Sequence, residues 1–276
     1  MQIHKLINYA GQKLQFVSLV DELISSTGLS YSNYYELFLG SGAMLYNMAA
    51  SFKTRTANDK NSNIIMMHEA LKKCSYSDYI SIVNAIDKKF GIVGKPTKEA
   101  YYMFRDWFNS KLKDKDISRA KLGIALIHLS AMCINSMLRF GPNGMNQGYG
   151  GRRRNVPEED WNALKLIADQ TDYFSKDYNE FEIKDNSVVF LDPPYVDTGI
   201  YENGYSREEF CEWLKSLDLK SSIIVYTDFE NSTSDQLLDV GFEKKFLRDC
   251  GTIAPSAVKT NDKKKTSREV MYVKMT

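Results

Sequence analysis

Asp192-Pro193-Pro194-Tyr195 is the tetrapeptide of this 276-residue chain whose residue types imply chemistry most directly. It should arise by chance in roughly one chain in a thousand of this length. It follows Ser187-Val188-Val189-Phe190-Leu191, an apolar run that reads as a buried strand. Open α/β sheets bind ligands at such carboxyl ends. Asp192 offers a carboxylate and Pro193 a backbone carbonyl, whose direction the two prolines hold fixed. Two acceptors aimed at the N–H bonds of an aromatic amine would pull its nitrogen toward tetrahedral geometry and free the delocalised lone pair. They would also stabilise positive charge developing on that nitrogen. Tyr195 adds a flat face for stacking. Adenine N6, attacking a sulfonium methyl in line, fits this arrangement without a covalent intermediate. In a duplex the base must first leave the stack, which costs a few kcal/mol. Cytosine C5 methylation is disfavoured, because it needs a nucleophilic cysteine, usually after a proline. None of Cys74, Cys133, Cys211 and Cys250 follows one. The plainer reading is a rigid turn with Tyr195 as packing.

A second group is Phe38-Leu39-Gly40-Ser41-Gly42, directly after the strand-like run Asn33 to Phe38. Glycines there let the backbone approach a ligand closely. The third glycine of the dinucleotide fingerprint is absent, which lowers the case for NAD. Asp59 lies nineteen residues after Gly40 and just past a second expected strand, Lys53 to Ala57. An acidic residue at that spacing suits a pair of ribose hydroxyls. Together these residues suggest an adenosine-type ligand.

With these motifs in this order, the chain resembles the Dam-like (D12-class, alpha-group) adenine-N6 DNA methyltransferases, including the short enzymes of bacteriophages. The resemblance runs nearly end to end. Asn8-Tyr9-Ala10-Gly11-Gln12-Lys13 is similar to the family's opening element, with Gln12 where glycine or asparagine is common. Phe38 to Gly42 resembles the loop for S-adenosylmethionine (AdoMet), and Asn58-Asp59 its ribose pair. Asp177-Tyr178-Asn179-Glu180 resembles the element holding the AdoMet adenine. Asp192 to Tyr195 matches the catalytic motif, and Tyr201 a tyrosine that closes over the cofactor. The resemblance therefore implies Tyr9, Lys13, Phe38, Gly40, Ser41, Gly42, Asp59, Asp177, Tyr178, Asp192 and Tyr201 as cofactor residues. It implies a site-specific DNA-methyltransferase (adenine-specific) with AdoMet as cofactor and S-adenosyl-L-homocysteine as product. It also makes GATC the leading candidate sequence.

The stretch Ile134-Asn135-Ser136-Met137-Leu138-Arg139-Phe140, with Gly144, Asn146, Tyr149-Gly150 and Arg152 beyond it, resembles the family's DNA-reading hairpin. The family match implies contacts from Asn135, Ser136, Met137, Arg139, Asn143, Asn146, Tyr149, Arg152 and Arg153. The physics agrees. Ile117 to Pro157 contains no acid and six Arg or Lys residues, so it can approach phosphates, and an arginine can bond guanine bidentately. Gly148 stands where many relatives have proline. Thr227-Asp228 stands where a Ser-Asn pair is frequent, beside the base pocket but outside the transfer itself, so activity is expected to persist.

These residues must be positioned by a doubly wound, Rossmann-like α/β domain with a helical DNA-recognition insertion. Strands are expected at 33–38, 53–57, 187–191 and 222–226. Helices are expected at 14–24, 43–50, 64–90, 98–113, 119–137, 157–169 and 207–217, with Thr97, Ser118 and Ser206 as N-caps. The expected division is a discontinuous AdoMet-binding domain, 1–60 and 171–276, around a target-recognition segment, 61–170, with a β-hairpin near 138–153 whose glycine-rich tip is expected at Asn146 to Gly148. No repeat interrupts this pattern.

Composition is that of an ordinary globular protein, 43% hydrophobic and 26% charged, with net charge +1. No apolar run approaches the roughly 18 residues of a membrane span, and no signal-peptide core follows Met1. The scattered cysteines suggest neither zinc nor disulfides. The expectation is therefore a cytoplasmic enzyme of a bacterial or phage-infected cell, acting on double-stranded DNA without metal or membrane, as a monomer or a weak dimer on DNA. Restriction-modification, phage protection and gene regulation are all compatible roles. Two alternatives stay open: an AdoMet-dependent N-methyltransferase of RNA adenine or protein glutamine, and a catalytically dead DNA-binding homologue. Asn rather than Asp usually precedes Pro-Pro in the former, and the intact motifs speak against the latter.

Overall fold

A computed structural model describes residues 4–7, 13–114, 116–134, 138–151, 155–194, 206–250 and 267–276. The strands, in chain order, are β1 (Asn33–Glu36), β2 (Thr54–Asn58), β3 (Phe140–Gly141), β4 (Gly144–Met145), β5 (Thr171–Phe174), β6 (Ser187–Leu191), β7 (Ile223–Phe229), β8 (Glu243–Cys250) and β9 (Ser267–Met275). The helices are α1 (Val17–Ser26), α2 (Ser62–Lys73), α3 (Tyr76–Phe90), α4 (Lys98–Lys111), α5 (Arg119–Ser130), α6 (Glu158–Asp169), α7 (Arg207–Ser216) and α8 (Ser232–Asp235). Seven strands make one sheet in the order β5-β2-β1-β6-β7-β9-β8, and β3 and β4 make a separate hairpin. β1 pairs with β6, and β6 with β7, in parallel. β9 runs antiparallel to both β7 and β8. The fold is the expected α/β class.

The chain divides into two compact units. The first comprises Met1–Ser26, Leu39–Ala50 and Ala57–Lys176. Its core is α5, buried from Leu122 to Ser130, and the buried stripes of α2, α3, α4 and α6. Ser75, Thr97 and Ser118 each accept a backbone amide at the start of a helix. The second unit comprises Thr27–Phe38, Ser51–Thr56 and Asp177–Thr276. Its core packs Val189, Leu191, Ile224, Tyr226 and Tyr272 of the sheet against Phe210, Cys211 and Leu214 of α7. Burying such a set at about 25 cal/mol per Å² of apolar surface holds the helix to the sheet.

Several elements differ from the sequence expectation. The helix expected at 64–90 is two helices, because Ser75 caps α3 with a reciprocal box to Asp78 and stops α2 at Lys73. The helix expected at 43–50 is a run of turns. There the Asn47 side chain donates to the Ala43 carbonyl at 3.0 Å, and the Asn47 amide goes to Met44 instead. A side chain has taken the acceptor that helix propagation needs. Leu14–Phe16 is a 3₁₀ turn before α1, and α5 ends at Ser130, short of Met137. Pro157 is the N-cap of α6. β5, β8 and β9 have no counterpart in the expected strands.

Candidate active site

In the first unit, the glycine loop and the end of β2 are joined. The Gly40 amide donates to Asp59 Oδ2 at 2.9 Å, and the Asn61 amide to Asp59 Oδ1 at 2.9 Å. Burial pushes the Asp59 carboxyl up to about 6, against the lowering effect of these two amides. The Gly40 carbonyl in turn meets His68 Nε2 at 2.9 Å. His68 is fully buried, and burial lowers it to about 4, so it is neutral at pH 7. With Nε2–H donating to Gly40, Nδ1 is left to accept from the Tyr46 hydroxyl at 2.8 Å. Tyr46 also meets the Tyr173 hydroxyl of β5 at 2.8 Å. Gly42 sits at φ +70°, and a Cβ there would lie 2.5 Å from the Tyr46 ring. Ser41 is buried beside it.

This arrangement fits a nucleoside ligand. Two glycines flanking Ser41 lie next to a carboxylate, and the Tyr46–His68 pair hydrogen-bonds to the loop through the Gly40 carbonyl. Asn58 is spent on structure, since its side chain both donates to and accepts from the Lys176 backbone, at 3.1 and 3.0 Å. Lys13 is buried at the start of the 3₁₀ turn.

The same unit carries the hairpin. β3 and β4 pair Phe140 with Met145 and Gly141 with Gly144, so the tip is Pro142-Asn143. Gly144 turns at φ +99°. Sequence reasoning set the tip at 146–148. Instead the Asn146 amide donates to the Arg139 carbonyl at 3.0 Å, so Arg139 and Asn146 face each other at the hairpin's base. Both are exposed, as is Asn143 at the tip. Further down, Cys133 bridges to Tyr149, and the Tyr149 hydroxyl donates to the Pro96 carbonyl.

One stripe of α4 holds this hairpin. Asn109 donates to the Met145 carbonyl at 2.8 Å and accepts the Met145 amide at 2.7 Å, while the Tyr101 hydroxyl donates to the Gln147 carbonyl at 2.7 Å. The residues 101, 105 and 109 share a helix face. The sequence signal for them was only that spacing of polar residues along a core helix.

In the second unit, Asp192-Pro193-Pro194 follows β6, with Pro193 buried and Asp192 and Pro194 half-buried. Leu191 pairs with Tyr226 in the β6–β7 register, which sets Asp192 beside Thr227. The Thr227 hydroxyl donates to Asp192 Oδ1 at 2.8 Å. The next residue, Asp228, is the buried hub of the strand end. Arg207 forks onto both its oxygens at 2.8 and 3.1 Å, and Tyr226, Asn231 and Ser234 donate to Oδ2 at 2.6, 2.9 and 2.8 Å.

Phe38 and Tyr178 come together here, ring centroids 5.6 Å apart, and Phe210 and Trp213 meet Tyr178 edge-on at 5.1 and 5.0 Å. This aromatic wall suits an adenine face. Asp177 forms a reciprocal capping box with Glu180, which spends one of its carboxylate positions on the local turn. Tyr9, Asn135, Ser136, Met137, Arg152, Arg153, Tyr195 and Tyr201 lie outside the described residues. Among the described residues no group of three or more His, Cys, Asp or Glu is placed to hold a metal, and no helix is long and apolar enough to cross a membrane.

A sheet that is parallel at its centre, with an Asp-Pro-Pro turn at the end of a central strand, is the frame of a Rossmann-like α/β domain. The chain belongs to the D12 class N6 adenine-specific DNA methyltransferases, whose family model matches residues 9–239. It is similar to modification methylase StsI of Streptococcus sanguinis, 24% identical over 238 residues, covering 82% of this chain and 33% of that protein. It is also similar to the type II methyltransferase M.FokI of Planomicrobium okeanokoites, 22% identical, covering 79% of this chain and 34% of that protein. The chain thus spans about a third of the length of these curated relatives. Among solved structures, a SAM-dependent O-methyltransferase from Thermotoga maritima matches at 10% identity and a TM-score of 0.39, over 95% of this chain and 65% of that one.

Proposed function

We propose that this chain transfers a methyl group from AdoMet to the N6 of a flipped-out adenine in double-stranded DNA, with GATC as the first sequence to test. The observation that carries the reading is Asp192-Pro193-Pro194 at the carboxyl end of β6, its carboxylate held by a neighbouring strand. When bound, AdoMet supplies an electrophilic methyl on a sulfonium. The chain's part is to prepare the nucleophile. Asp192 accepts one N6–H bond and the Pro193 carbonyl the other, drawing the nitrogen toward tetrahedral geometry. The same acceptors stabilise the positive charge that develops as the N–CH3 bond forms and the S–CH3 bond breaks. The methylated nitrogen then releases one N–H proton to solvent, leaving N6-methyladenine and S-adenosyl-L-homocysteine. Tyr195 stacks on the base. Gly40, Ser41 and Gly42 receive the AdoMet backbone, Asp59 its ribose, and Phe38 and Tyr178 its adenine, with Tyr9, Lys13, Asp177 and Tyr201 completing the set.

The segment 61–170 serves as the DNA reader within a discontinuous catalytic domain, 1–60 and 171–276. Arg139 and Asn143 reach base edges from the hairpin, with Asn146 beside them. The family membership and the modification-methylase relatives support DNA over RNA or protein as the substrate. The reading also takes the enzyme as cytoplasmic, metal-free, and monomeric or weakly dimeric on DNA, in a modification or phage-protection role. Tritium transfer from labelled AdoMet to DNA, RNA and protein, measured side by side, tests it. Label in DNA alone, on adenine N6, is expected. Label in RNA or protein, or in none of the three, overturns the reading.

A further inference from the structure

We propose that Thr227 is a positioning residue for methyl transfer, holding the Asp192 carboxylate in the orientation that accepts the target amino group. The inference rests on the function proposed above and deepens it. Asp192 lies just past the end of β6 and is half-buried. A carboxylate acting as a directional acceptor must not rotate, because a misplacement of about 1 Å can cost a hundredfold in rate. Thr227 supplies the restraint from the adjacent strand, donating to Asp192 Oδ1 at 2.8 Å. The donor is itself immobilised. Thr227 is fully buried, and a β-branched side chain has restricted χ1 freedom.

The Thr227 backbone is paired to Met271 of β9, and its neighbour Tyr226 is paired to Leu191 of β6. Immediately beyond, the Asp228 carboxylate gathers Arg207, Tyr226, Asn231, Ser234 and the Phe229 amide. That hub pins the strand end at the point where the hydroxyl must be placed. Thr227 touches neither reacting atom and acts through Asp192.

The test uses the 276-residue chain, methyl-tritiated AdoMet and an unmethylated duplex containing every five-base sequence. Wild type, Thr227→Val, Thr227→Ser and Asp192→Ala are compared in single-turnover rate, kcat, KM for AdoMet and AdoMet Kd, with thermal unfolding as a folding control. Valine keeps the volume and removes the hydroxyl, whereas serine keeps the hydroxyl. Thr227→Val is expected to slow the single turnover about 10- to 100-fold, the worth of a hydrogen bond to a charged group. AdoMet Kd and KM should stay at their wild-type values, and Thr227→Ser should recover most of the rate. If valine does not fold, Thr227→Ala takes its place in the same comparison.

A wild-type rate in the hydroxyl-free variant overturns the inference. So does a serine variant as slow as valine, or a loss that falls on AdoMet binding instead of the rate. Asp192→Ala separates the two levels. Activity retained in that variant would sink the proposed function and this inference with it. An inactive Asp192→Ala beside an unaffected Thr227→Val sinks the inference alone.

Discussion

Gly40 and Asp59, nineteen residues apart in sequence, are joined by a 2.9 Å hydrogen bond from the glycine amide to Asp59 Oδ2. The bond ties the loop proposed for the cofactor to the acidic residue proposed for its ribose, and burial raises that carboxyl to about 6. Ribose hydroxyls donate to the ionised form. Below pH 6 the free protein carries a proton that AdoMet must displace, so affinity falls as pH drops. The expected weakening is about tenfold per pH unit below 6, and Asp59→Asn removes the pH dependence while lowering affinity. His68, held at about 4, titrates below this window. Calorimetric titration of AdoMet from pH 5 to pH 8 checks it, and a flat wild-type profile would refute the assignment.

Gly42→Ala is expected to damage the same loop by sterics alone. The added methyl meets the Tyr46 ring at 2.5 Å, and φ +70° is unfavourable for alanine. A stability loss of about 1–3 kcal/mol should appear in urea unfolding. AdoMet binding should weaken with it, because Tyr46 leans on His68, and His68 on Gly40.

The hairpin predicts two different DNA phenotypes. Arg139→Ala removes an exposed side chain at the hairpin base, so it should cost about 1–3 kcal/mol and relax discrimination at one base pair. Asn109→Ala removes both bonds to Met145 and frees the whole hairpin, so it should weaken methylation of every site together. Sequencing of methylated sites for each variant separates them. Identical site sets and rates in Arg139→Ala and wild type would remove Arg139 from the reader.

Arg207 and Asp228 form a buried ion pair at the base of the proposed catalytic strand end. Arg207→Met leaves the carboxylate buried with its charge uncompensated, and the expected cost is about 3–5 kcal/mol in urea denaturation. A loss under about 1 kcal/mol would mean the remaining hydroxyl and amide donors suffice.

The parts legible in the sequence were those written in local residue order. The Val188–Leu191 run with Asp-Pro-Pro behind it and the caps Thr97, Ser118 and Ser206 depend on neighbours a few residues away, and the Gly40 to Asp59 pair on a fixed spacing of nineteen residues across one strand-turn-strand unit. The break between α2 and α3 was legible only in the Ser75…Asp78 box, because the apolar positions on either side continue as if in one helix. β8 escaped notice because an edge strand alternates weakly. Its Lys244 and Lys245 stand beside Phe246, which is exposed. The Thr227–Asp192 bond and the Asp228 hub could not be read at all, since both follow from the pairing register of β6, β7 and β9. Likewise, the Asn109 clamp needs the hairpin's register, and the sequence placed the tip four residues too late.

The central claim is that Asp192 prepares an amine for methyl transfer while other residues bind the cofactor. The most direct measurement is single-turnover transfer of tritium from saturating AdoMet to duplex DNA by wild type and Asp192→Ala, with AdoMet Kd measured on the same samples. The account predicts label on adenine N6 with wild type, no transfer above background with Asp192→Ala, and an AdoMet Kd within about threefold between the two, a difference below 1 kcal/mol. Asp192→Ala turning over at the wild-type rate, or failing only because it no longer binds AdoMet, would contradict it.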